Sequence, residues 1–243
     1  MKTRILVLCS LILGLWDASL KADDSSNPLG TIASTLNSER VESDGQVYSH
    51  TANFQTELTL SLGSRGFYLY LEDFQNLNGQ RNYGNEIDYN LGWSYDGIVS
   101  IDIGVGYYDV IPLLHGPSED IYVTYATLAK SFDKGDKGTF KPFVTVTTYK
   151  TGRGSDYEGG VRVQSGVTYS RKVGKANLEA TTSLVRDDGT FGYPSAWVAR
   201  QTLSLSWKWG KVSVKLPTVT AYLPLSSRSG RQMSLVYGAG ISF

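Results

Sequence analysis

The feature that most constrains this chain is a two-residue alternation that returns in segments of about ten residues. In the stretch MSLVYGAGISF, Met233, Leu235, Tyr237, Ala239, Ile241 and Phe243 share one face of an extended strand, and Gln232, Ser234, Gly238, Gly240 and Ser242 share the other. Successive side chains of a strand point to opposite faces, so the segment is apolar on one side and small or polar on the other. About ten residues is also the length a tilted strand needs to cross a bilayer. The pattern recurs: Ile87, Tyr89, Leu91, Trp93 and Tyr95 oppose Glu86, Asp88, Asn90, Gly92 and Ser94. Beyond the Asp96-Gly97 turn, Val99, Ile101, Ile103, Val105 and Tyr107 oppose Ser100, Asp102, Gly104, Gly106 and Tyr108, which is a hairpin signature. Similar runs lie around Phe54–Leu62, Phe67–Leu71, Val161–Tyr169, Ala176–Leu184 and Leu203–Trp209.

A soluble sandwich of two sheets would produce the same alternation. It does not account for the connections, which alternate in length. Short turns at 63–66, 96–97, 132–138, 171–175 and 210–211 interleave with longer polar segments at 74–83, 109–119, 150–160, 186–195 and 225–231. Short periplasmic turns and longer external loops are the habit of transmembrane barrels, and a bilayer tolerates strands only where closure leaves no unpaired edge. If Phe243 ends on the periplasmic side, the strand starting near Ala52 runs towards the periplasm. An even strand number then requires one more strand before it, for which LGTIASTL at 29–36 is the candidate. The expectation is an all-β chain forming a single antiparallel transmembrane β-barrel over residues 29–243, with about twelve strands. Ten is the alternative. Tyr95, Phe132, Phe140, Tyr169, Trp207, Trp209 and Phe243 lie beside the short turns, as an interfacial girdle would.

The two ends supply a route to a membrane. Lys2 and Arg4 precede an apolar run from Ile5 to Trp16, followed by Asp17, small residues and Lys21. This is the order of a secretory signal peptide, expected over 1–22 with a short extension at 23–28. The lone Cys9 lies inside it, so the exported part carries no disulfide or thiolate site. Removing Lys2, Arg4, Lys21 and Asp17 from 23 basic and 23 acidic residues leaves 20 and 22, with no nucleic-acid footprint. Gly238, Ile241 and Phe243 resemble the C-terminal sorting signal of bacterial outer-membrane proteins, a glycine followed by apolar or aromatic residues three and five places on. That resemblance implies the bacterial outer membrane, its lipids and the barrel-assembly machinery as surroundings and partners.

The run EIDYNLGWSYDG, SIDIGVGYYDV and EDIYVTYATLAKSF, within residues 85–132, resembles the centre of a proteobacterial family of porins called TorF-type. The resemblance implies a small outer-membrane pore and transfers no functional residue. With the polar face turned inward, Glu57, Glu72, Glu86, Asp88 and Asp102 would form an acidic wall, and Arg162, Arg171, Arg200, Lys208 and Lys215 a basic one. In an open lumen this arrangement gives a transverse field acting on small polar solutes and ions. In a filled lumen the same groups pair and plug the barrel. The inward glycines make room for inward tyrosines. GVG and GAG are not phosphate loops, and DKGDKG lacks the spacing of a calcium loop. No cofactor or metal is expected.

A hydrolase is a second class, and a structural or adhesive surface protein, which would need longer external loops, a third. Only His50 and His115 are available as bases, and His115 would need Ser118 and a returning Glu119 or Asp120 from one loop, a poor scaffold for catalysis. Catalysis is not expected. The sequence therefore points to a passive channel, with a plugged structural barrel as the alternative.

Overall fold

The computed structural model describes residues 30–63, 65–77, 85–110, 120–152, 158–226 and 231–243. The signal-peptide segment 1–22, the extension 23–28 and the loop residues His115, Ser118 and Glu119 lie outside these. Among the described residues twelve long strands follow one another: β1 Gly30–Asn37, β2 Asn53–Ser61, β3 Phe67–Asn76, β4 Glu86–Asp96, β5 Ser100–Val110, β6 Ile121–Ala129, β7 Thr139–Thr151, β8 Gly160–Val173, β9 Ala176–Asp187, β10 Ala196–Trp209, β11 Val212–Pro224 and β12 Ser234–Ser242. Each pairs antiparallel with the next, and β12 pairs with β1 through Ala33 opposite Ser242 and Asn37 opposite Gly238. The sheet closes on itself, so no backbone edge is left unpaired. The strand demanded by parity is β1, which sets aside the ten-stranded alternative.

The faces follow the alternation. Leu69, Leu91 and Val105 stand side by side on β3, β4 and β5, one residue out of phase with Tyr70, Asn90 and Gly106. Leu91, Ile103, Val105, Val167 and Leu203 are exposed on the outer face, a continuous apolar surface that lipid satisfies and water does not. Tyrosines cap this band at the end of the long connections, external in barrels of this kind: Tyr89, Tyr107 and Tyr122 touch in series at 6.2 and 5.6 Å between ring centroids. At the short-turn end Phe140 meets Tyr169 at 4.9 Å and Trp93 stacks on Tyr95, giving aromatic belts at both interfaces. The pairing shifts once in β11, between Lys215 and Thr218, where Pro217 has no N–H to offer a ladder and the strand bulges.

One connection departs from the rest. Residues 38–52, between β1 and β2, form a miniature hairpin in which Arg40 and Val41 pair with Ser49 and Val47. Its tip is Asp44-Gly45, with Gly45 at φ 79, the left-handed backbone that glycine adopts without strain. This hairpin turns into the barrel. Val41 packs on Ala196, Val198, Tyr222 and Val236 from the inner faces of β10, β11 and β12, and the Tyr222 hydroxyl donates to the Val41 carbonyl at 3.2 Å. The inner wall of β10 to β12 is accordingly apolar at its external end. A second cluster of Ile121, Val123 and Tyr149 packs with Tyr108 and Phe191, on the face that alternation assigns to water.

Candidate functional site: the barrel lumen

The hairpin is held by ion pairs that span the lumen. Arg162 on β8 donates from Nε to Asp187 Oδ2 at 3.2 Å. Its Nη1 donates to Ser43 Oγ at 3.1 Å and Tyr149 Oη at 3.0 Å, and its Nη2 lies 3.3 Å from Asp44 Oδ2. From the opposite side Arg231 donates to Asp44 Oδ2 at 2.6 Å and to the Pro194 carbonyl at 2.8 Å. Arg40 runs the other way, from the hairpin to the wall: it meets Glu86 at 2.9 Å and Glu42 at 3.6 Å, with its guanidinium 3.9 Å over the Phe74 ring. Asp44 is 1% exposed. Burial would raise its carboxyl, but Arg162 and Arg231 hold it below the ordinary carboxylate range. Burial would discharge Arg40, and Glu86 and Glu42 more than offset that. Every buried charge at the hairpin tip therefore has an opposite charge facing it, which is the condition for burying charge at all.

The expected acidic wall lies on β2 to β5. Glu57 stands opposite Glu72, and Glu72 opposite Asp88, one row across neighbouring strands. Gln55 donates to both Glu57, at 2.8 Å, and Glu72. Glu86 sits above this row against Arg40. Asp102 sits below it and accepts the Tyr68 hydroxyl at 2.6 Å, while Tyr125 meets the same Tyr68 oxygen at 2.6 Å. Inward threonines pair across strands, Thr127, which stands opposite Asp102, with Thr145, and farther round Thr168 with Thr181 and Thr202 with Thr220.

The expected basic wall is dispersed. Arg162 belongs to the hairpin network. Arg200 faces inward with its guanidinium 5.6 Å from the Tyr222 ring centroid. Lys208 and Lys215 lie on the inner face near the short turns, opposite Ser213 and Ser206. Arg171 differs from expectation: it stands opposite Leu178, on the face bearing Val167 and Tyr169, and so points outward at the rim. Odd and even positions of one strand cannot share a face, which separates Arg171 from Arg162. Of the sorting-signal residues, Gly238 is inward, opposite Thr218 and Asn37, whereas Ile241 and Phe243 are exposed outside. His50 is exposed, 3.8 Å from Glu39.

Sequence reasoning missed Arg40, Glu42, Asp44, Asp187 and Arg231. A signal existed for the hairpin: Asp44-Gly45 between Val41 and Val47 is the same turn chemistry as Asp96-Gly97.

No family model matches this chain, and no curated protein matches it. Solved structures do. The KdgM porin aligns at 16% identity with a TM-score of 0.55, covering 88% of this chain and 98% of its own. The NanC porin aligns at 12% and 0.53, over 88% and 98%. An outer-membrane channel from Pseudomonas putida F1 aligns at 11% and 0.52, over 91% and 99%. At these identities the likeness is one of fold, and the fold is that of an outer-membrane β-barrel.

Proposed function

We propose that this protein is a small passive channel of the bacterial outer membrane, admitting ions and small polar solutes along a lumen narrowed at its external end by the hairpin 38–52. The observation that carries this is the inner face below the hairpin, where carboxylates, lysines, threonines and tyrosine hydroxyls line a closed barrel. A lipid-facing outer surface and a polar interior are what a water-filled barrel requires. The likeness of residues 85–132 to TorF-type porins and the fold shared with KdgM and NanC support the same reading. Export through the signal peptide 1–22, delivery by the barrel-assembly machinery and the absence of catalysis belong to it. A second reading, a plugged structural barrel, is favoured by the burial of Arg40 and Asp44 in the external mouth.

Planar-bilayer recording of the refolded protein from residue 23 onward tests the proposal. Discrete steps from the intact protein, enlarged when residues 40–49 are replaced by a short Gly-Ser turn, are expected. Steps only after that replacement mean a plug, and silence in both forms overturns the channel.

A further inference from the structure

We infer that the lumen wall formed by β2 to β6 is a binding track for organic cations, small solutes bearing alkylammonium or guanidinium groups. This deepens the channel reading and rests on it for the direction of passage, though not for binding.

The first observation is the row Glu57, Glu72 and Asp88. Like charges directly opposite one another on paired strands repel, so three carboxyl groups in register are stable when they share protons or when a positive charge stands before them. The described residues supply little. Arg162 and Arg231 are bound to Asp44 and Asp187, and Arg171 points outward. Among the described residues the cations set against Glu57, Glu72, Glu86, Asp88 and Asp102 are Arg40, itself shared with Glu42, and Lys215 beside Glu57, while Arg200 and Lys208 face the lumen from β10. The second observation is Asp88, 4% exposed on the inner face of β4, whose Oδ1 has no hydrogen-bond partner among the described residues. A buried carboxylate oxygen without a donor is costly and marks a place where a donor fits.

The third observation gives the chemistry of that donor. A Cβ at Gly92 would lie 2.3 Å from Tyr68 Cζ, and one at Gly104 would lie 2.5 Å from Tyr125 Oη. Each tyrosine therefore lies along the wall, across a glycine of the neighbouring strand, instead of projecting into the lumen. Their hydroxyls join at the Asp102 carboxylate, at the edge of an open cavity of about 320 Å³ that Thr59, Ser61, Tyr68, Ser94 and Asp102 help to line. Aromatic surface beside carboxylates attracts an organic ammonium or guanidinium. A bare divalent metal wants a closed shell of oxygens and gains nothing from ring surface. The track runs from Asp102 with Tyr68 and Tyr125, past Tyr70, to the row of three carboxylates.

Binding is measured by calorimetry of 1,4-diaminobutane with the refolded protein in detergent, and passage by reversal potential and current block in bilayers. Heat-modifiable gel mobility checks that each variant is folded. The expected result is saturable binding of 1,4-diaminobutane, no binding of galacturonate and a cation-selective reversal potential in a KCl gradient. E57Q/E72Q/D88N should weaken binding at least tenfold and move the reversal potential towards zero. Tyr68→Leu should weaken diaminobutane binding several-fold while leaving the potassium reversal potential unchanged, which separates the ring from the charges. Binding without conductance overturns the channel reading and leaves the site standing. Failure of folded wild-type protein to bind, anion selectivity, or Mg²⁺ binding as well as diaminobutane overturns the organic-cation track.

Discussion

The Asp44 carboxylate accepts a 2.6 Å hydrogen bond from Arg231, tying the tip of the hairpin after β1 to the segment that leads into β12. Arg162 approaches the same oxygen at 3.3 Å from β8, so one buried carboxylate joins three parts of the barrel that are remote in sequence. The hairpin is thereby fixed inside the lumen, and its release should be an all-or-none local event rather than gradual fraying.

Asp44→Ala leaves two buried guanidinium groups without this partner, and breaking such a pair costs about 3–5 kcal/mol. The cost should fall on docking of the hairpin and not on the closed sheet. Limited proteolysis should cut the variant within residues 38–52 while heat-modifiable mobility stays that of the wild type. Loss of the folded band would show that the hairpin supports the barrel itself.

Acidification should release the same hairpin, at a pH set by Asp44. Its carboxyl is held below the ordinary value of 3.8, so its contribution is fully present above the unfolded value and is lost as pH falls through the lower folded one. Docking should therefore be constant from neutral pH to about pH 4 and weaken below it. Pepsin cleavage of the hairpin, compared at pH 5 and pH 3, reads this directly. Complete cleavage at pH 5 would contradict the role given to Asp44.

Reversing inward positive charges should separate two kinds of residue. Arg162→Glu places a fourth acid among Glu42, Asp44 and Asp187 and should undock the hairpin. Arg200→Glu and Lys208→Glu remove charges that none of the ion pairs between described residues uses, so folding should hold and the reversal potential should move towards cations. Equal folding of all three variants would remove Arg162 from the hairpin network.

The outer face gives a separate test. Leu91→Arg or Val105→Arg should destabilise by about 2–4 kcal/mol if these positions lie near the lipid midplane, whereas Ser61→Arg, inward at the short-turn end, should be tolerated. Denaturant unfolding in lipid vesicles measures the difference, and matching midpoints for Leu91→Arg and Ser61→Arg would contradict the assignment of faces.

The barrel was legible in the sequence because its governing pattern is local. Leu91 and Asn90 declare opposite faces by adjacency alone, and parity of short and long connections is enough to demand a strand near 29–36, which the structure places at Gly30–Asn37. Chain order also carries the pairing, since each strand bonds to the next. The same locality separates Arg171 from Arg162 once the strand period is counted through Leu178 and Asp187.

The interior was not legible in that way. Asp44-Gly45 signals a turn, but nothing near it says whether the turn leans outward or folds into the lumen. Glu72 and Asp88 read simply as inward acids, and their standing in one row with Glu57 depends on the stagger between strands. Tyr125 reads as one aromatic among many until Gly104 is placed beneath it. Hydrogen-bonded alternation repeats every two residues and can be counted along the chain. Which charges and rings meet across a lumen is set by strand tilt, register and the direction of one connection, and these exist only once the sheet has closed.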